Sequence, residues 1–111
     1  MILTDRQSVA ANTTVANVLA GKLNEFLNEN SVVSLYMLAE AVGVNASLIV
    51  GNEIVVDDQE ITARAVGTPI TVPDDFLAQG GGFAGDRLIV RVRNTTGAAI
   101  VVRTRIETNP A

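Results

Sequence analysis

No cysteine and no histidine occur among the 111 residues of this chain. The first absence excludes disulfides, thiolate metal sites and cysteine nucleophiles together. The second removes the commonest zinc ligand, the usual general base near neutral pH, and every Ser-His or Cys-His arrangement. Tryptophan is missing as well, and one Tyr and three Phe are the only aromatics, which leaves little on which bases or sugars could stack. No window approaches 18 uninterrupted apolar residues, so no membrane-spanning helix is expected. "MILTDRQSVA" sets an acid and a single base before a polar stretch, unlike a secretory signal, and synthesis in the cytosol is expected. Positive charge is also scarce. Eight Lys and Arg against 12 Asp and Glu give a formal charge of −4, which argues against nucleic acid, where affinity comes from many cations on phosphates.

What is present is aliphatic. Hydrophobic residues make up 48% of the chain, mostly Val, Ile, Leu and Ala, a composition that leans towards strand. The length suits a single domain over residues 1–111. A chain this small leaves roughly a third or more of its unfolded-chain surface exposed, so apolar surface buried between subunits, in a homo-oligomer, is expected.

The stretch "SVAANTTVANVLAGKLNEFLNEN" has Val15, Val18, Leu19, Leu23, Phe26 and Leu27 at helical spacing, with Thr13 or Thr14 as a cap. Gly21 opposes a helix, and two short strands, "TVANVL" and "KLNEFL", are the alternative. "SVVSLYMLAEAVGV" alternates Val33, Leu35, Met37 and Ala39 against Ser34, Tyr36, Leu38 and Glu40, which suits a strand with one face partly wet. "ASLIVGNEIVVDDQEI" reads as a hairpin around Gly51-Asn52. "ITARAVGTPITV" continues extended, with Pro69 and Pro73 excluding a helix or a central strand across them. "PDDFLAQGGGFAGD" reads as a loop, pinned to the body by Phe76, Leu77 and Phe83. Two strands, Arg87 to Arg93 and Ala99 to Ile106, complete the pattern.

Five of the eight basic residues fall in those last two strands. Paired as a hairpin across "NTTGA", they place Leu88, Val90, Val92, Ile100, Val102, Thr104 and Ile106 on a core face. The other face then gathers Arg87, Arg91, Arg93, Arg103 and Arg105. Like charges opposite each other cost stability. The plain explanation is a solvated face whose guanidiniums pair with the chain's own Asp57, Asp58, Glu60 or Glu107. The sharper one is a subunit interface, in which these arginines meet Asp57, Asp58 and Glu60 of a neighbour. Phosphate or nucleic acid is the weakest reading.

"VVDDQE" and "PDDF" offer hard oxygen donors for calcium or magnesium, yet neither has the spacing of an EF-hand loop, and turn chemistry explains them better. An enzyme working by carboxylates alone would need Asp57, Asp58, Asp74 and Asp75 to converge in a cleft. "GGGFAGD" lacks the Lys-Ser/Thr of a P-loop. Sequons at Asn12, Asn45 and Asn94 are read as chance. No catalytic, cofactor-binding or metal-ligating residue is therefore assigned.

At "NTTVANVLAG…EFL", "ASLIVGNEIVVDDQEI", "VPDDF" and "AGDRLIVRVRNTTGAAIVV", taken in order and over most of its length, the chain resembles small virion-associated proteins of bacteriophages. The resemblance implies a compact β-sandwich that works as a shell, cement or decoration subunit, assembling as trimers or larger rings on a capsid. It implies extended backbone over "ANVLAGKLNEFL", residues 16–27, and the β reading is taken there. The expectation is an all-β, single β-sandwich, jelly-roll or immunoglobulin-like, with a short helix near the N-terminus left open. The expected role is non-enzymatic, a decoration subunit in the virion. Its partners are then itself and the major capsid protein, and membrane and nucleic acid are not among them. A self-assembling shell protein is the close variant, and a β-sandwich binding carbohydrate or a host surface is the alternative of another class.

Overall fold

In the computed structural model, which describes residues 2–22, 25–72 and 74–110, every regular element is a β-strand. The strands are β1 (Ile2–Val9), β2 (Thr14–Val15), β3 (Ser31–Ala39), β4 (Val44–Val50), β5 (Glu53–Glu60), β6 (Phe76–Gly82), β7 (Leu88–Asn94) and β8 (Ile100–Pro110). They form two antiparallel sheets, β1-β8-β3-β6 and β2-β7-β4-β5. The order has a simple logic: β1 pairs β8, β2 pairs β7, β3 pairs β6 and β4 pairs β5. The chain is one long hairpin, folded at the β4–β5 turn and rolled up until β3 meets β8 and β4 meets β7. That is the jelly-roll form of the β-sandwich, and it decides between the two architectures expected.

Period-two alternation builds the core. Val33, Leu35, Met37 and Ala39 of β3, Val44, Ala46, Leu48 and Val50 of β4, Leu88, Val90 and Val92 of β7, and Ile100, Val102 and Ile106 of β8 are all buried between the sheets. Gly51, at φ +61°, occupies the left-handed position that a tight Gly-first hairpin turn requires between β4 and β5.

The arginine hairpin does not form. The faces were assigned correctly, but β7 pairs with β4 and β8 with β3, in opposite sheets. Residues 95–99 therefore cross the sandwich instead of turning within one sheet. Two inward-facing strands satisfy the same alternation whether they pair side by side or stack across a core, so the pattern could not distinguish the cases.

The glycine run is also a strand. β6 takes in Gly80, Gly81 and Gly82, paired with Val33, Val32 and Ser31. A Cβ on Gly82 would lie 2.5 Å from a Leu27 methyl and 2.6 Å from a Val50 methyl, and one on Gly80 would lie 2.7 Å from Val55. Glycine at the inward positions lets this edge strand approach the opposite sheet closely. Leu77 packs on the core as expected, whereas Phe83 is 72% exposed and pins nothing.

No described residue near the N-terminus is helical. Of the two strands considered there, only Thr14–Val15 is regular; Leu23 and Asn24 lie outside the described residues. Val18 and Leu19 are both buried outside any strand, and the chain turns through bonds from Ala20 N to Asn17 O (3.2 Å) and Lys22 N to Leu19 O (2.9 Å). Asn17 then substitutes for a strand partner, donating through Nδ2 to Leu88 O (3.1 Å) and accepting at Oδ1 from Val90 N (3.0 Å). Residues 61–72 are irregular apart from a bridge between Ala63 and Ala39. Pro73 lies outside the described residues.

Candidate functional site

Because the rolled hairpin puts β7 and β8 in different sheets, the five arginines divide. Arg91 and Arg93 stand on the outer face of the β2-β7-β4-β5 sheet. A bulge in β5 opposite Ser47 places Asp57 and Asp58 beside them, with Asp58 in the left-handed region at φ +50°, which Asp tolerates better than most residues. Asp58 N donates to Ser47 Oγ (2.8 Å), which fixes the bulge. Arg93 grips Asp58 with two bonds, Nε to Oδ1 (3.1 Å) and Nη2 to Oδ2 (2.6 Å), the fork geometry that suits a guanidinium to a carboxylate. Arg91 Nη2 donates to Asp57 Oδ1 (3.3 Å). The Arg93 fork holds the Asp58 carboxyl below its ordinary pKa and raises the pKa of Arg93 in return.

Arg87 belongs to one end of the sandwich, where Phe26 bridges to it and its Nε donates to Glu25 Oε2 (2.8 Å). The Gly21 amide, and after it Arg87, hold the Glu25 carboxyl below its ordinary value against the opposing effect of burial. Each of these three arginines has a carboxylate of its own chain, and for Arg87 it is Glu25, which was not among the acids expected. Glu60 is exposed and forms no ion pair among the described residues.

The other sheet differs. Arg103 and Arg105 stand on its outer face, and the β1 register sets Arg6 directly opposite Arg103 and Thr4 opposite Arg105. Arg105 Nε donates to Glu107 Oε2 (3.2 Å), two residues along the same strand. Arg103 approaches Glu40 only to 3.8 Å, and its Nε is enclosed without a hydrogen-bond partner. Arg6 forms no ion pair among the described residues. Residues 61–72 lie partly across this face, and Leu38, on the outward side of β3, is fully buried. Between them runs a groove of about 480 Å³, lined by Thr4, Asp5, Arg6, Pro69, Ile70, Arg103, Thr104 and Arg105. Asp5 is neutralised by Lys22 Nζ at 3.1 Å.

Arg6 was not singled out from sequence, and the signal was weak. Two of the four inward positions of β1 are Asp5 and Gln7, which blur its alternation, so neither the strand nor its outward arginine stands out. The aspartate pairs do not converge on one cleft. Asp57 and Asp58 serve the arginines of one sheet, whereas Asp75 is buried against the other, accepting from Thr71 N (2.8 Å) with Arg64 Nη2 3.0 Å from its Oδ1. That last contact is off the hydrogen-bond direction, so it is a charge contact only. Among the described residues no three Asp or Glu approach closely enough to hold a metal ion. Of the sequons, Asn94 is buried with its amide fully engaged.

No protein-family model matches the chain, and no curated protein and no solved structure is found similar to it.

Proposed function

We propose that this chain is a structural virion protein, a cement or decoration subunit that binds the outside of a bacteriophage capsid as a homo-oligomer. The observation that carries this reading is the placement of large exposed apolar side chains at the two ends of the sandwich. Phe26, Ile54 and Phe83 stand at the end where β4 turns into β5, and Val42 and Val66 at the opposite end, all more than half exposed. Large apolar side chains held in water at the ends of a sandwich offer contact surface to a neighbour. Two such patches at opposite ends suit head-to-tail contacts between identical subunits, which close into rings or extend over a lattice. The jelly roll supports the reading by analogy, since viral shell subunits use this sandwich, as lectins and cupins also do. The net charge of −4 favours a place outside a capsid over one against its genome.

Light scattering on the purified chain tests this. A mass several times 11.7 kDa is expected, falling to that of the monomer in Phe26→Ser with Phe83→Ser while circular dichroism stays β. A chain that remains monomeric at high concentration and does not co-sediment with capsid shells would refute it.

A further inference from the structure

On the β1-β8-β3-β6 sheet a repulsive pair of arginines has been left standing, in contrast to the other sheet, where each arginine meets an aspartate. Arg6 and Arg103 are direct cross-strand neighbours, an arrangement that costs stability. The Arg103 Nε is shielded from water with no acceptor. Each of the other charges around the groove has an opposite number: Asp5 has Lys22, Arg105 has Glu107, and Arg103 has Glu40 at arm's length. One positive charge, that of Arg6, is left over, beside a cavity in the size range of ligand sites.

We propose that this groove binds a single carboxylate, carried by an Asp or Glu side chain on an extended segment of another protein. The carboxylate sits between the outer guanidinium nitrogens of Arg6 and Arg103, relieving the repulsion between the two cations. Pro69 and Ile70 form an apolar wall on the other side of the groove, against which the neighbouring side chains of the segment rest. Arginine suits the task, since it is weakly hydrated and binds a carboxylate through two parallel hydrogen bonds.

Nucleic acid fits less well. One surplus positive charge matches one carboxylate rather than a chain of phosphates, and among the described residues no aromatic ring lines the groove to stack a base. The inference rests on the structural reading above for the identity of the partner as a protein, and it adds the chemistry of the contact.

The probe is a blocked pentapeptide, acetyl-Ala-Val-Glu-Val-Ala-amide, titrated calorimetrically into the full chain at low ionic strength, with the central Gln peptide as its control. The Glu peptide is expected to bind at least tenfold more tightly than the Gln peptide. Arg6→Gln, an exposed substitution on an edge strand, should weaken it at least tenfold with an unchanged circular dichroism spectrum. Ile70→Glu should do the same by placing a carboxylate in the groove, and Arg91→Gln on the other sheet should leave binding untouched. Equal affinity for the two peptides, or full affinity in Arg6→Gln, would overturn the proposal. Tighter binding of pyrophosphate or of a thymidine oligonucleotide than of the Glu peptide would also overturn it, making this a phosphate site. A wild-type oligomer that dissolves in Arg6→Gln would overturn it too, by giving the groove to a second copy of this chain. An oligomer that does not bind the peptide loses the groove and keeps the structural reading, whereas a strict monomer that binds it does the reverse.

Discussion

Asn94 is the residue on which the closure of the roll depends most directly. It is buried at the end of β7, where the chain leaves one sheet for the other, and its side chain reaches five partners, one of its two amide hydrogens being shared between acceptors. Nδ2 donates to Val9 O (3.0 Å), Ala10 O (3.2 Å) and Ala98 O (2.9 Å), and Oδ1 accepts from Thr96 N (2.9 Å) and Thr96 Oγ1 (2.8 Å). It thereby ties the end of β1 to the β7–β8 crossing. Asn94→Ala orphans the Val9 carbonyl in a buried setting, at about 1–3 kcal/mol, while the partners nearer solvent recover water at roughly 0.5–1 kcal/mol each. The expected loss is therefore about 3–7 kcal/mol, a large share of the roughly 5–15 kcal/mol that holds a domain folded. Asn94→Asp keeps the shape but turns a carboxylate oxygen towards three carbonyls, which favours the protonated form and raises the folded-state pKa. A group with a raised pKa stabilises the fold only while protonated. The variant should thus approach wild type below about pH 4 and lose stability at about 1.4 kcal/mol per pH unit as pH rises from the unfolded pKa to the folded one. Urea unfolding followed by circular dichroism at several pH values measures both effects. A cost below about 1 kcal/mol for Asn94→Ala, or a pH-independent difference between Asn94→Asp and wild type, would refute the reasoning.

Two further predictions concern β6 and the ion pairs. Gly82→Ala forces a methyl onto Leu27 and Val50 and should cost about 1–3 kcal/mol, whereas Gly81→Ala meets nothing within 4 Å and should be neutral or slightly stabilising in the same thermal melts. The lowered pKa values of Asp58 and Glu25 make their contribution present above the unfolded carboxylate range and lost as pH falls towards the folded values. Asp58→Asn with Glu25→Gln should therefore flatten the acid limb of the stability curve, an effect kept small by solvent and reduced further by salt; an unchanged limb would show that these pairs contribute nothing.

Much of the sandwich was legible because burial writes itself into alternation. Val33 to Ala39, Leu88 to Val92 and Ile100 to Ile106 were placed on the correct faces, and Gly51-Asn52 marked its hairpin. What failed was pairing, since alternation reports which side of a strand is dry and not which strand lies beside it. Strand formation at Gly80 to Gly82 was hidden because the usual side-chain signal is missing, and its cause is a close approach that only the folded sheets reveal. β1 was hidden by its polar inward residues, Asp5 and Gln7, which an edge strand accommodates by bonding them to each other and to Lys22. Asn17 was illegible for a related reason: a side-chain amide standing in for backbone in a ladder leaves no periodicity at all.

The rolled topology also changes the meaning of the arginine-rich sequence. A hairpin would have stacked five like charges on one face and demanded a partner for all of them. Rolling β7 and β8 into opposite sheets separates them, and the two faces then meet the electrostatic problem differently. On one face the β5 bulge carries Asp57 and Asp58 to Arg91 and Arg93, and the charges are satisfied within the chain. On the other, β1 adds a further arginine, Arg6, opposite Arg103, with Glu40 only loosely engaged at 3.8 Å. A protein selected for stability alone would gain by replacing Arg6, because an exposed edge position accepts almost any polar residue and the cross-strand repulsion would vanish. Retaining it makes physical sense when the repulsion is relieved by something outside the chain. On the proposal made above, the face with unmet charge is the one where a carboxylate-bearing partner gains most by binding.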